Sequence, residues 1–464
     1  MELSTRVLRD RQATIRRNWG FQTALWCSIH WATCYVGVEL LLQGDAFLGV
    51  PYAQRDLVAA ALVFSVLMVF LITCICIVWM AVTGKIKEYL NMLRHPHRDC
   101  MFYLASAMMG CVGEPIIYYT GSLLDSAFVT AMTMFYPLVG ALMARLWYKE
   151  IIPRMCWMGL AFVFGGCFIL YFPLAFDTSG SVFVLFVIAG ILVGIDWGVE
   201  GAFAARAQDT TDSSVGVAVR YTYEAVLWVV ILVASAVIAP QLDLVGHIPH
   251  TVASPDILFI LLLAGCLTFD YLGWYKSFAL CGVCCGLAVT DISGYVAAIV
   301  ATTVTLTVPS WPTVIACVIT LVGVFVIYTS GKDILGVMRN VDVTPRRCTA
   351  QSSRLLAQLP LKSQALVLIA ENGPAWDWEL ADRLSEDVAN QKRRRRKRNE
   401  VRLSLIEAAA AGMIVALDEN VDDGGSFAEG KLLSRYTLTG FGYERLVHNG
   451  LIADTAHVRD QERR

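Results

Sequence analysis

Apolar residues fall into ten long runs separated by short polar or glycine-bearing segments, at roughly 21–44, 57–81, 101–121, 123–147, 154–173, 182–205, 218–239, 256–279, 283–306 and 311–330. Each has about the 20 mainly apolar residues that a helix needs to cross a bilayer. Helices are expected because the hydrocarbon offers backbone N–H and C=O groups no other partners. The third and fourth runs almost touch, as do the eighth and ninth, so each pair predicts a tight helical hairpin. Beyond residue 330 the pattern changes. A polar linker is expected over 333–360, around Thr344-Pro345. Helical stripes follow over 361–370, over 377–389 with Leu380, Leu384 and Val388, and over about 399–411 with Val401, Leu405 and Ile406. Gly412 closes the last of these. Two short strands are expected at 413–417 and 434–438 around an acidic loop with Gly424-Gly425, then a helix over 440–449 capped by Thr439. The expected fold class is an all-α membrane protein of ten transmembrane helices carrying a small extra domain at 361–450.

Composition sharpens this picture. Of 464 residues, 56% are hydrophobic and 16% charged, and mean hydropathy is +0.57. Soluble domains carry about 25% charged residues, so an ordinary cytosolic enzyme and a disordered chain are both disfavoured. The charge is uneven: residues 331–464 hold 21 of the 37 Lys and Arg and 19 of the 39 Asp and Glu. The first twenty residues carry Arg6, Arg9, Arg11, Arg16 and Arg17, and the apolar run after them is too long for a secretory signal. With this basic 1–20 segment inside, the inner loops and helix ends carry 15 Lys and Arg while Arg55 alone falls outside. By the positive-inside rule both termini are expected in the cytoplasm, on a multi-pass protein of the cell membrane. Ten spans divide into two halves of five, 21–173 and 182–330. Five is odd, so the second half enters from the opposite side, as in inverted-repeat transporters.

Ionisable side chains inside apolar runs are costly, at about 2.5–3.5 kcal/mol each on insertion scales. His30, Glu114, Asp196, Glu200, Glu224, Asp270 and Asp291 all fall there. Arg220 and Lys276 are the bases nearest to them. Helical spacing of four puts Trp26 with His30, Glu114 with Tyr118, Asp196 with Glu200, Arg220 with Glu224, and Asp270 with Trp274 on shared faces. Acids beside aromatic rings suit an organic cation or the amino group of a zwitterion, and an acid-lined cavity also suits protons. The bland alternatives are an intrahelical ion pair for Arg220 and Glu224, a solvated Glu200, and a hydrogen-bonded neutral His30. Cys281-Gly-Val-Cys284-Cys285 is half of a metal site, and no second half accompanies it, so no metal is expected. Most of the other cysteines sit in apolar runs, where they behave as small hydrophobes.

The stretch Tyr119-Thr-Gly-Ser-Leu-Leu-Asp-Ser-Ala-Phe-Val-Thr-Ala-Met-Thr-Met-Phe-Tyr-Pro137, continued to Glu150, resembles the drug/metabolite transporter superfamily in its EamA-type two-repeat branch. The resemblance covers roughly 20–330. It implies alternating access around a cavity lined by spans one, three, four, six, eight and nine. It also implies gating at Pro137, with Gly294 at the matching place in the second repeat. Residues 435–442, Arg-Tyr-Thr-Leu-Thr-Gly-Phe-Gly, are similar to the wing-to-helix segment of PadR-type winged helix-turn-helix regulators. The run Lys392, Arg393, Arg394, Arg395, Arg396, Lys397, Arg398 then stands just before the third tail helix, where DNA phosphates or an anionic inner leaflet would be met.

These features lead to one expectation and a rival. The expectation is a secondary transporter for a small polar or cationic metabolite or drug-like molecule, without a cofactor and without enzymatic chemistry. Glu114, Asp196, Asp270, Asp291, Glu200 and His30 would bind substrate or protons, and Trp26, Tyr118, Tyr119 and Trp274 would form cavity wall. The rival is a membrane-tethered ligand sensor whose tail binds DNA.

Overall fold

The computed structural model describes residues 2–44, 47–123, 133–177, 180–305, 311–330, 336–346 and 350–453. The first helix, α1 (Glu2–Leu42), starts far earlier than the apolar run. The basic segment 1–20 was expected to be separate, but its described residues are the first turns of this helix. No glycine or proline interrupts them before Gly20, and their arginines are good helix formers. Helix α2 (Leu57–Thr83) is capped by the Asp56 carboxylate, which accepts from Val58 N at 2.9 Å and Ala59 N at 3.1 Å. It stops at Gly84, whose φ of 78° ends a helix at no steric cost. The short amphipathic α3 (Ile86–Arg94), which was not anticipated, leads to α4 (Cys100–Gly121).

Residues 124–132 of the expected fourth span lie outside the described residues. Its remainder is a 3₁₀ turn, Thr133–Phe135, and α5 (Tyr136–Leu146). Next come α6 (Arg154–Asp177), α7 (Gly180–Ala207) and α8 (Ser213–Ile238), the last capped by Asp212. A second unanticipated helix, α9 (Leu244–Ala253), precedes α10 (Asp256–Cys281). The expected ninth span is two helices, α11 (Val283–Thr290) and α12 (Ser293–Thr305), interrupted at Asp291-Ile292. The bundle closes with α13 (Trp311–Ser330). Among the described residues seven helices are long and apolar enough to cross a membrane: α1, α2, α4, α7, α8, α10 and α13. Further apolar helical stretches, Tyr136–Leu146, Arg154–Ile169 and Val283–Ala297, stand where the fourth, fifth and ninth spans were expected.

The bundle packs in a definite pattern. Helix α1 lies along α10 and also touches α12, α4 lies between α7 and α8, α5 packs on α7, α2 touches both α8 and α10, and α6 runs along α13.

The tail holds α14 (Leu361–Asn372), β1 (Ala375–Trp376), α15 (Asp377–Arg383), α16 (Gln391–Ala410), β2 (Ile414–Val421), β3 (Leu432–Leu438) and α17 (Gly440–His448). Its sheet is antiparallel in the order β1-β3-β2, with Ile414 opposite Leu438 and Val421 opposite Leu432. Thr439 caps α17 by accepting from Gly442 N at 2.9 Å. Leu366, Leu380, Val401, Leu405, Ile414, Leu438 and Leu446 form a core of its own. One boundary differs in an important way. Asn390 accepts from Arg393 N at 3.1 Å and starts α16 at Gln391, so Lys392 to Arg398 are helical rather than a preceding turn. Arg and Lys are strong helix formers, and the cap decides the start.

The tail docks on one end of the bundle through buried polar contacts. Arg445 of α17 holds Asp99 at 2.7 Å and reaches Asp209 at 3.3 Å. Arg339, in the linker, pairs with Asp209 at 2.5 Å. Lys362 of α14 donates to the Gln208 carbonyl at 2.9 Å and to Glu407 at 2.9 Å, and Glu407 also binds Lys276 of α10. Ser363 donates to the Thr210 carbonyl at 2.6 Å.

Candidate functional site

The acids singled out in the sequence are all buried, and four of them gather around one arginine. Arg220 on α8 is fully buried. Its guanidinium meets Glu224 one turn on, Glu200 of α7 at 3.1 Å and Glu114 of α4 at 3.5 Å. The i,i+4 pair was legible in the sequence, but it is no interfacial decoration: three helices converge on it. The cation also sits 4.2 Å from the Tyr221 ring centre and 4.9 Å from that of Tyr271. Tyr275 donates to Glu200 at 3.0 Å, so Glu200 is held inside the bundle rather than solvated.

Helix α4 comes this close because it offers glycines at the crossing. A side chain at Gly110 would strike Arg220 and Glu224, and one at Gly113 would strike Asp196. Asp196 stands one turn before Glu200 on α7. Its Oδ2, Glu114 Oε2, Glu200 Oε2 and Glu224 Oε1 find no hydrogen-bond partner among the described residues. Three glutamates share one guanidinium, with an aspartate beside them. Burying uncompensated charge costs several kcal/mol per ion, so such a set calls for protons or a bound cation.

An aromatic box adjoins the cluster. Trp31 of α1 lies at its centre, with ring centres of Trp197 at 4.7 Å, Trp274 at 5.6 Å and Tyr35 at 6.1 Å. Trp31, Tyr35, Tyr118, Trp197, Tyr271 and Glu114 line a cavity of about 20 Å³. That volume admits a water molecule and little more. Tyr118 lines this cavity and Trp274 packs on Trp31, and Tyr119 is half-buried beside the core. Trp26 and His30 do not belong to it. Their rings touch each other at 4.3 Å, but Trp26 is 54% exposed on the outer face of α1. Their shared spacing marks a common face without saying which face is buried. The informative signal was the neighbouring stripe Cys27, Trp31, Cys34, Tyr35, Val38, which has the period of a helix seam and is buried throughout.

Asp270 and Asp291 occupy separate pockets. Cys27 donates its thiol to Asp270 Oδ1, and Asp270 Oδ2 has no partner among the described residues. Asp291 sits at the interruption between α11 and α12 and accepts from Cys167 Sγ at 3.4 Å. Cys167 in turn contacts the Tyr295 hydroxyl at 3.3 Å, which accepts from Thr320 at 2.6 Å. Gly294 is buried one turn into this break. Pro137 stands in the first turn of α5, where a missing N–H is tolerated, rather than at a mid-helix kink.

Glu150 plays a role that sequence reasoning missed. From the loop after α5 its carboxylate accepts from Val283 N at 2.9 Å and Cys284 N at 3.3 Å, capping α11 from another part of the chain. Gly282, with φ of 90°, leaves space for it. Burial pushes Glu150 up to about 7, opposed by those two N–H donors. In the tail, Lys392 to Arg395 are exposed with no ion pair among the described residues, whereas Arg396, Lys397 and Arg398 pair with Glu400, Asp387 and Asp382. The described residues contain no group of three His, Cys, Asp or Glu side chains able to hold a metal ion.

Neither a family model nor a curated protein matches this sequence. One solved structure, described as a crystal structure of a protein, is 15% identical, covers 68% of this chain and 99% of its own, and has a TM-score of 0.49.

Proposed function

We propose that the chain is a ten-span secondary transporter of the cell membrane, EamA-like, that moves a small cationic or zwitterionic molecule by alternating access. The observation that carries this is the buried acid excess around Arg220, set against the Trp31 aromatic box. Carboxylates supply charge and rings supply cation–π attraction, and both are strengthened by exclusion of water. The cavity is too small to hold a substrate as it stands, so the cycle requires α4, α7 and α10 to part. Protons on Glu114, Asp196, Glu200 or Glu224 balance the cluster when the cation is absent, which makes proton exchange the natural coupling.

The helix pairings support two repeats. Exchanging each span for the one five later turns the α1–α10 contact into α7–α4. It likewise turns α1–α12 into α7–α5 and α2–α10 into α8–α4, while α6–α13 and α2–α8 map onto themselves. A helix interrupted at a buried acid, as at Asp291, is a recurring device of transporter sites. The tail contacts lie on the ends that the positive-inside rule puts in the cytoplasm.

The test is counterflow in proteoliposomes with radiolabelled organic cations and amino acids under an imposed pH gradient. Glu114→Gln and Trp31→Leu are expected to reduce uptake at least tenfold, with Trp26→Leu unaffected. Transport that ignores both the gradient and Glu114→Gln would overturn the reading.

The exposed Lys392 to Arg395 favour one second reading, a sensor whose winged-helix-like tail binds DNA. The helix order and the β1-β3-β2 sheet agree with that domain type. Against it, α16 is engaged by the bundle through Glu407. Titration of DNA against the full chain at two salt concentrations discriminates, because phosphate contacts give a steep salt dependence.

A further inference from the structure

The seam between bundle and tail forms a half-open chamber that the transport reading does not use. Its volume is about 380 Å³, within the range of about 300–1,000 Å³ typical of small-molecule sites. Three elements and the linker's Val341 build it. The loop after α5 contributes Trp147 and Lys149, the end of α7 contributes Arg206, and α17 with its approach contributes Phe441 and Arg445. The linker fixes that loop by main-chain bonds, Ile151 N to the Met338 carbonyl at 2.8 Å and Asn340 N to the Lys149 carbonyl at 2.8 Å. Lys149 is held at φ of 57°, a left-handed conformation that a non-glycine residue adopts at a cost. Such local strain persists where surrounding structure imposes it, and it clusters at functional sites.

Charge around the chamber does not balance. Three guanidiniums, of Arg206, Arg339 and Arg445, face two carboxylates, of Asp99 and Asp209. Lys149 adds to the positive side of the wall and Glu444 to the negative, and the wall also holds a neutral His448. Arg445 is 3% exposed and is held by Asp99 and Asp209, whereas Arg206, also in the wall, has no ion pair among the described residues. A guanidinium cannot shed its proton to escape such a position. A phosphate or carboxylate suits it instead, since paired guanidiniums grip planar oxygens in two-pronged fashion. The remaining wall is aromatic. Trp147 is braced edge-on by Phe102 at 5.4 Å and Phe203 at 5.6 Å, with the Arg206 guanidinium 5.7 Å from its ring centre. Phe441 stands on the tail side.

We propose that this chamber binds a ring-bearing phosphate of the nucleoside monophosphate class, the phosphate on Arg206 and Arg445 and the base against Trp147. The ligand touches bundle and tail at once, so its occupancy tightens their docking. This site is independent of the transport reading and stands or falls without it.

The test titrates AMP, GMP and UMP against the full chain in detergent, reading tryptophan fluorescence and thermal shift, with inorganic phosphate and adenosine as controls. At least one nucleotide is expected to saturate and to bind at least tenfold more tightly than either control. Arg206→Gln and Trp147→Leu are each expected to weaken it at least tenfold while the ligand-free melting temperature stays within a few degrees, and Glu114→Gln is expected to leave it unchanged. Equal, unsaturable responses to nucleotide and phosphate overturn the proposal, and so does undiminished binding in both chamber variants. Nucleotide binding lost in Glu114→Gln but kept in Arg206→Gln would make the nucleotide a transport substrate, sinking the chamber and sparing the transporter.

Discussion

At the residue scale, the charges in this protein differ in what their removal leaves behind. Arg220→Met strips the common partner from Glu114, Glu200 and Glu224, and stranding buried charge costs about 3–5 kcal/mol. A large fall in melting temperature is expected, with less purified protein in membranes. Glu224→Gln keeps a hydrogen-bond acceptor at the same place and reduces the acid excess, so its loss should be smaller, about 1–2 kcal/mol. If the two variants melt alike, the cluster is not organised around the arginine. Glu150 makes a pH-dependent case. Its folded value of about 7 lies above the 4.5 of a free glutamate, so its contribution is complete below about pH 4.5 and is lost as pH rises through 7. Wild type should therefore lose up to about 3 kcal/mol relative to Glu150→Gln between pH 4.5 and 8, checked by thermal denaturation across that range. Much of this scale was legible in the sequence, because an ionisable residue in an apolar run marks itself. Trp26 and His30 misled because spacing of four pairs residues without orienting them. The Glu150 cap was invisible, since its partners are main-chain groups far along the chain.

At the scale of elements, the informative departure is the interruption of the expected ninth span. Hydropathy runs evenly through residues 283–306 and gives no hint that α11 ends at Thr290. The aspartate was visible, but its place at a break depends on Cys167, Tyr295 and Thr320 packed around it. Asp291→Asn preserves size and hydrogen bonding. It is expected to fold with a melting temperature within a few degrees of wild type and, on the transport reading proposed above, to lose proton-coupled uptake, measured as substrate-driven pH change in vesicles. Unchanged coupling would confine Asp291 to a structural role. Helix ends were similarly half-legible. Of the tail helices, α15 stops at Arg383, short of the expected 389, and α16 begins eight residues earlier than its stripe because Asn390 caps it. That extension alters what the basic run is: a rigid helical edge instead of a flexible turn.

At the scale of the whole molecule, ten apolar runs and a charged tail were plain from composition, whereas the docking of one on the other was not. Docking rests on single residues such as Asp99, Asp209 and Glu407, scattered through loops and helix ends with no shared pattern. Burial tends to raise Glu407, but Lys276 and Lys362 outweigh it and hold the carboxylate below its usual range. Its contribution is present above about pH 4.5 and is lost as pH falls through the lower folded value. Acidification below pH 4.5 should therefore release the tail, seen as faster hydrogen exchange in α14 and α16, and Glu407→Gln should remove that acid step. Arg445→Met is expected to release the tail at neutral pH, with proteolysis of the linker rising severalfold; an unchanged digestion rate would mean that apolar contacts suffice. The Arg220 cluster also bears on biosynthesis. Glu114 leaves the ribosome before Arg220 exists, and at about 5–20 residues per second the wait is roughly 5–20 s. On the membrane reading proposed above, the translocon receives through that interval an acidic segment whose counterion has yet to be made, so that co-translational insertion is provisional until Arg220 arrives.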